Sequence, residues 1–115
     1  MKIVTVETVL ADAYPNCVWL RLETDAGLVG LGETFRNPLA TVAYIHETVA
    51  PYLLGKDPRA PERHRNALMR SVGNRFSGFP KRSVEVRGNS AADTALWDIA
   101  APALGAPPYR PLGAP

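Results

Sequence analysis

The hydrophobic pattern of this chain changes period once, from about two before Phe35 to nearly four after it, and that change divides it into a sheet followed by helices. Residues 2–10 carry Ile3, Val4, Val6 and Val9 with the β-branched Thr5 and Thr8, a composition that favours a strand. The segment Ala11 to Asn16, with Pro15, breaks it. From Val18 to Thr24 the alternation is clean: Val18, Leu20 and Leu22 fall on one face, Trp19, Arg21 and Glu23 on the other. Asp25-Ala26-Gly27 is turn chemistry, because Gly27 takes the positive φ that short hairpin loops require. Leu28 to Thr34 then pairs back as a third strand, which predicts a three-stranded antiparallel sheet.

Beyond Phe35-Arg36-Asn37-Pro38, the residues Leu39, Val42, Ile45 or His46, Val49 and Leu53 share one helical side. Asn37 suits an N-cap and Pro38 the first helical position. Pro51 is expected to bend or weaken the last turn, and Gly55 to end the helix. A second helical region is expected from Asp57-Pro58 to about Val72, with Leu68 and Val72 inward and its arginines outward. Helical periodicity is lost over residues 73–88, which read as a loop rich in Gly, Phe, Lys and Arg. The third helix is expected from about Ser90 to Leu104, stopped by Gly105. It has two apolar arcs: Ala92, Ala95, Leu96, Ile99 and Ala103 on one, Trp97, Ala100 and Leu104 on the other. Such a helix needs covering on both sides, and the local sheet covers only one. The fold class is therefore α+β, a three-stranded antiparallel sheet followed by a three-helix bundle. Residues 1–106 form the domain, and 107–115 a tail whose prolines 107, 108, 111 and 115 prevent regular structure.

With 115 residues, 46% of them hydrophobic and 21% charged, the chain fits one folded domain and is not a disordered polymer. Net charge is +2, yet eight of the thirteen basic residues lie between Arg59 and Arg87, against Glu62 and Glu85. That reads as a solvated helix face and loop, or as an anion-binding face. Cys17 is alone, which excludes an internal disulfide and fits a reducing, cytoplasmic setting. No apolar run reaches the length of a signal core or membrane span, so no membrane partner is expected.

Gly27-Leu28-Val29-Gly30-Leu31-Gly32 reverses the spacing of a dinucleotide-binding fingerprint and is itself a strand, so Gly30 and Gly32 are expected to admit a close neighbour instead. His46-Glu47 and Glu62 with His64 lack the two-histidine spacing of a helical zinc site and read as structural. Asp93 falls within the second apolar arc near Trp97, where a structural ion pair with an arginine is expected. Asp98 lies elsewhere on the wheel, as a polar-face or interhelical contact. The stretch Gly73 to Arg82 mixes two phenylalanines with three cations. It suits a plain connection, a clamp for a carboxylate, or, behind both, contact with nucleic acid.

Five stretches taken together resemble a known family. They are the opening Met1-Lys2-Ile3, the hairpin Thr24 to Thr34 (TDAGLVGLGET), the helix end Val49 to Pro58 (VAPYLLGKDP), the run Ser90 to Ile99 (SAADTALWDI), and Gly105 to Gly113 (GAPPYRPLG). The chain resembles the N-terminal domain of the mandelate racemase and muconate lactonizing enzyme group of the enolase superfamily. The likeness covers nearly the whole chain, and its specificity lies in the combination and order of the motifs.

The resemblance implies a capping domain packed on a modified (β/α) barrel. There, lysine or histidine bases would remove a proton α to a substrate carboxylate and a magnesium ion on three carboxylates would stabilise the resulting enediolate, for racemisation, cycloisomerisation or loss of water. A barrel of that kind takes roughly 250 residues, and the lysines here, Lys2, Lys56 and Lys81, form no Lys-x-Lys pair. No catalytic or metal-binding residue is carried over, and no cofactor is expected on this chain, magnesium being implied for the full-length enzyme. Pro102, Pro111 and Ala114 depart from the family pattern. By position, two loops would close over an acidic small-molecule substrate, 11–17 and 73–82, with Tyr14, Asn16, Arg75 and Phe76 as the side chains reaching it. The leading expectation is a truncated substrate-capping domain, inert alone, whose partner is a missing barrel or further copies of itself. The alternative is a free-standing interaction module that uses the Trp97/Leu104 face and the basic 59–87 segment. Because that face lacks a cover, the isolated chain is expected to aggregate or to form oligomers.

Overall fold

The structure, a computed structural model, describes residues 1–75 and 82–105; the side chains of residues 71–75 and 82 fall outside that description, as does the expected tail 107–115. Three strands, β1 (Ile3–Val9), β2 (Cys17–Thr24) and β3 (Val29–Phe35), form an antiparallel sheet in the order β1-β2-β3. The alternation of β2 is realised as expected, with Val18, Leu20 and Leu22 fully buried and their neighbours half-buried on the opposite face. Gly27, at φ 79°, closes the β2–β3 hairpin, and its amide donates to the Thr24 carbonyl. The free edge of β1 is covered by the chain itself, because Gly55 N donates to Ile3 O and Ile3 N to Lys56 O, both at 2.8 Å.

The first helical segment is interrupted. Helix α1 (Pro38–Tyr44) runs into a wider π-turn at Ile45–Val49 and then into α2 (Ala50–Leu53). Pro51 explains the widening: it has no N–H for the Glu47 carbonyl and its ring would collide with it, so the Ala50 amide instead reaches back five residues to Ile45 O. Asn37 stands at the cap position with Pro38 after it, but its side chain makes no capping bond. The inward positions are Thr41, Tyr44, Ile45, Val49 and Leu53, whereas Leu39, expected inward, is 76% exposed. It lies in the first turn of α1.

Helices α3 (Pro61–Arg75) and α4 (Arg82–Ala103) correct the expected loop at 73–75 and 82–88, while residues 76–81 of it lie outside the described residues. The early part of α4 holds Val84, Val86, Gly88 and Asn89, all weak helix formers, which hid the helix from a reading by propensity. Packing accounts for two of them. A Cβ at Gly88 would stand 2.6 Å from the Tyr44 ring. Buried Asn89 accepts the Tyr44 hydroxyl at 2.7 Å and donates to the Met69 sulfur at 3.3 Å, linking α1, α3 and α4. Leu68 is buried as expected, while the side chain of Val72 lies outside the described residues. Gly105, at φ 68°, ends α4.

Helix α4 lies on the sheet, antiparallel to β3, and is the element packed most extensively against it. Gly30 and Gly32 permit this, since a Cβ at either would run into the α4 backbone at Ala95 or Ala91. The Leu31 amide at the outer edge of β3 donates to Asp98 Oδ2 at 2.9 Å, so Asp98 bridges helix to strand rather than helix to helix. Most of the first arc of α4 is enclosed: Ala92, Ala95, Leu96 and Ile99, with Ala91 beside them, join Ile3, Leu20, Leu22, Ile45 and Leu53 in one core, while Ala103 is half-buried. The second arc is only partly covered. Ala100 is buried against the start of α3, Trp97 is half-buried, and Leu104 is 57% exposed.

Candidate functional site

Antiparallel wiring brings the 9–17 connection and the 35–37 turn to the same end of the sheet, and α4, running back along β3, starts at that end too. Two successive turns, Tyr14 N to Ala11 O and Cys17 N to Tyr14 O, compact the 11–17 loop. Its Tyr14 ring is 61% exposed and meets Trp19 edge-on, with centroids 6.0 Å apart. Asn16 is exposed, and its carbonyl accepts the Arg36 amide at 2.8 Å. This bond ties the loop to the 35–37 turn.

That turn holds Arg36 and Asn37 at φ 67° and 43°, the positive-φ residues other than glycine among those described. Each such conformation costs of order 1–3 kcal/mol, though asparagine tolerates it best. Thr41 holds it in place: its amide donates to Asn37 O at 2.9 Å and its hydroxyl to Arg36 O at 3.3 Å. Strain retained by surrounding bonds concentrates where a chain must aim side chains. Beside it, Phe35 is 54% exposed with the guanidinium carbons of Arg36 and Arg87 each 5.6 Å from its ring centre. Of the expected contact residues, Tyr14 and Asn16 lie in this end of the domain. The backbone of Arg75 closes α3, but its side chain and Phe76 fall outside the described residues. Phe35, Arg36, Asn37 and Arg87 were not singled out from sequence. The Asn37-Pro38 step signalled only a helix start, and nothing in the spacing marks Arg87 as a neighbour of Phe35.

The remaining candidates are structural. His64 is buried, with Nε2 against the Asp57 carbonyl at 2.6 Å and Nδ1 against the Tyr52 hydroxyl at 2.9 Å. A carbonyl only accepts, so Nε2 carries the hydrogen and Nδ1 takes that of Tyr52. His46 meets the Thr8 hydroxyl at 2.8 Å. Asp57 is held at about 2, well below its ordinary value, first by the side-chain bond from Arg59 at 2.6 Å and then by the Arg59 amide. Asp93 corrects an expectation. It makes no ion pair; Oδ1 is buried without a partner, and desolvation raises its pKa against the lowering field of Arg65 and the Trp97 indole. Next to it, Arg59, Pro61, Arg63, Trp97, Ala100 and Leu104 line an open cleft of about 340 Å³. Among the described residues no three His, Cys, Asp or Glu side chains converge as a metal donor set, so these residues do not fit magnesium. No helix among them is long and apolar enough to cross a membrane.

The family model of the mandelate racemase / muconate lactonizing enzyme N-terminal domain matches residues 3–113. The chain belongs to that family. It is 38% identical over 115 positions to a D-mannonate dehydratase of Novosphingobium aromaticivorans, covering 98% of this chain and 27% of the relative. A D-galactonate dehydratase family member of Pseudarthrobacter chlorophenolicus is 36% identical with the same coverage. Among solved structures, an enolase of the mandelate racemase subgroup from Agrobacterium tumefaciens superposes with a TM-score of 0.87 at 41% identity, covering 99% of this chain and 30% of that one. The described residues have the capping-domain fold of the mandelate racemase family, three antiparallel strands followed by helices. The chain spans little more than a quarter of the length of the curated relatives it matches.

Proposed function

We propose that this chain is the substrate-capping domain of a sugar-acid dehydratase-type enzyme, silent in catalysis by itself. One observation carries the reading: similarity to relatives named D-mannonate dehydratase and D-galactonate dehydratase family member runs along 98% of this chain and only 27% of theirs. In this reading the barrel that performs the proton chemistry is the partner. The loop end, with Tyr14, Asn16, the strained 36–37 pair and the 73–82 stretch with Arg75 and Phe76, faces the substrate. Exclusion of water and selection among acids are the cap's contribution, and both act through binding rather than bond-making. The resemblance to the family implies magnesium for the whole enzyme. The described residues of this chain contain no donor set for it.

The partly covered second arc of α4 supports a further element of the same reading. Trp97, Leu104 and the cleft beside them suit either the family's barrel or, in the alternative reading, a separate protein partner. A hybrid separates the two. Residues 1–105 replace the cap of the Novosphingobium relative, and dehydration of a panel of acid sugars is followed by formation of the 2-keto-3-deoxy product. Turnover by the hybrid, with none by the isolated chain plus magnesium, is expected. A folded hybrid that turns over no acid in the panel, or turnover by the isolated chain, overturns the capping assignment.

A further inference from the structure

The positive charge that the chain gathers from Lys56 onward is not spread as an even face. Lys56, Arg59 and Arg63 stand around one open pocket of about 330 Å³ between the end of α2 and the start of α3, with Tyr52, Asp57 and His64 completing its wall. The bond from Ile3 N to Lys56 O puts this pocket at the start of β1, whereas the 9–17 connection leaves from the other end of that strand. The wall is tied together from within. Buried His64 is fixed at both nitrogens, by the Asp57 carbonyl and the Tyr52 hydroxyl. Tyr52 in turn seats Lys56, whose ammonium lies 4.6 Å from the ring centre and donates to the Tyr52 carbonyl at 3.0 Å. Asp57 seats Arg59 in the same manner, its carboxylate accepting the Arg59 amide at 2.9 Å, Nε at 3.0 Å and Nη2 at 2.6 Å. Two of the three cations are therefore held at the pocket before a ligand arrives, which lowers the cost of ordering them on binding.

The charges around this pocket do not cancel. Asp57 is ionised and answers Arg59, but Lys56 and Arg63 enter no ion pair, and Arg63 makes no side-chain hydrogen bond, among the described residues. Glu62 lines the neighbouring cleft instead, and His64 adds no charge while its Nδ1 accepts the Tyr52 hydroxyl. The amides of Arg63 and His64 are both spent on the Ala60 carbonyl, so the donors left for a ligand are side chains: the remaining ammonium hydrogens of Lys56 and the whole fork of Arg63. We propose that this pocket binds a small phosphate monoester, with the phosphate between Lys56 and Arg63. Two uncompensated cations match a group that carries about −1.5 to −2 at neutral pH, where a single carboxylate would answer only one of them. The volume lies at the low end of the roughly 300–1,000 Å³ usual for small-molecule sites, which leaves room for an organic part beside the phosphate. The assignment stands apart from the capping reading, since it involves neither the loop end nor a barrel.

The test uses the full chain, labelled with nitrogen-15, and follows backbone amide signals while glycerol 3-phosphate is added at constant ionic strength. Saturable shifts at Tyr52, Lys56, Arg59 and Arg63 are expected, with weaker binding of inorganic phosphate at the same residues and no saturable response to acetate. Arg63→Gln should weaken glycerol 3-phosphate binding at least tenfold with amide dispersion unchanged, whereas Arg70→Gln, two turns further along α3, should leave it as it was. Asp57→Asn keeps an oxygen for the Arg59 amide but removes the negative charge, so it should tighten binding about twofold or more; a purely structural role for this loop would not improve binding. Both exposed arginines can be replaced without touching the core, so their comparison decides the matter even if Asp57→Asn unfolds the loop. Absence of saturation, an equal response to acetate, equal losses in Arg63→Gln and Arg70→Gln, or weaker binding by a folded Asp57→Asn protein overturns the site. Tighter binding of inorganic phosphate than of glycerol 3-phosphate overturns the ester assignment.

Discussion

Replacing Gly32 by alanine tests the seat of α4 on β3 directly. The added Cβ would stand 2.8 Å from the Ala91 carbonyl carbon and 3.3 Å from its Cα, and closer still to the carbonyl oxygen. These are backbone atoms of a helix held along its length, so no rotamer change relieves them. Overpacking of this kind costs about 1–3 kcal/mol, and a rigid neighbour places the site at the upper end. The smaller entropy of the unfolded alanine chain returns roughly 0.4–1 kcal/mol. The net loss is about 2 kcal/mol, or about 10 °C in Tm for a domain of this size. Urea unfolding followed by tryptophan fluorescence measures it. Because the collision is with the carbonyl and not the methyl of Ala91, adding Ala91→Gly should bring no rescue, and the two losses should add. A Gly32→Ala protein within about 0.5 kcal/mol of the parent, or one restored by Ala91→Gly, would refute the account of why the strand carries glycines.

Asp93 should destabilise the domain near neutrality. Its folded pKa is raised above the ordinary 3.8 mainly by desolvation, so the folded state holds its proton more tightly, and stability falls as pH rises from that value through the raised one. Asp93→Asn should therefore stabilise at pH 7 and make no difference below the ordinary carboxylate range; chemical denaturation across pH reads the difference, and an asparagine variant less stable at pH 7 contradicts it. Removing Asp98 should open the β3 edge, since Leu31 N loses its acceptor. In Asp98→Ala, hydrogen exchange at the Leu31 amide should rise about tenfold, equivalent to roughly 1.4 kcal/mol, while core amides of β2 hold; an unchanged Leu31 rate counts against the bond.

Local rules made the sheet legible. Val18, Leu20 and Leu22 alternate without exception, Gly27 marks the turn, and Gly30 with Gly32 asks for a close neighbour, which α4 supplies. The second arc of α4 was equally visible, and its partial cover by residues 59–63 left Leu104 exposed as the pattern implied. What failed did so where tertiary packing overrides propensity. Gly88 and Asn89 look like loop residues and are helical because the Tyr44 ring needs the space and the hydrogen bond. The π-turn depends on how Pro51 resolves a collision one turn back, which a helical wheel does not contain. At the loop end, Tyr14 and Asn16 were reachable from their place between two strands. The meeting of Phe35, Arg36 and Arg87 was not, because it arises only when α4 lies antiparallel to β3.

The central claim is that these residues cap a catalytic barrel. Its most direct measurement mixes the purified chain with the barrel portion of the Novosphingobium dehydratase, expressed without its own first quarter, and follows dehydration of an acid sugar as the chain is titrated in. The account predicts saturable 1:1 association, a blue shift of the half-buried Trp97, and a rise of at least about tenfold in kcat/KM. A well-folded barrel whose rate and sedimentation are untouched by the chain would contradict it.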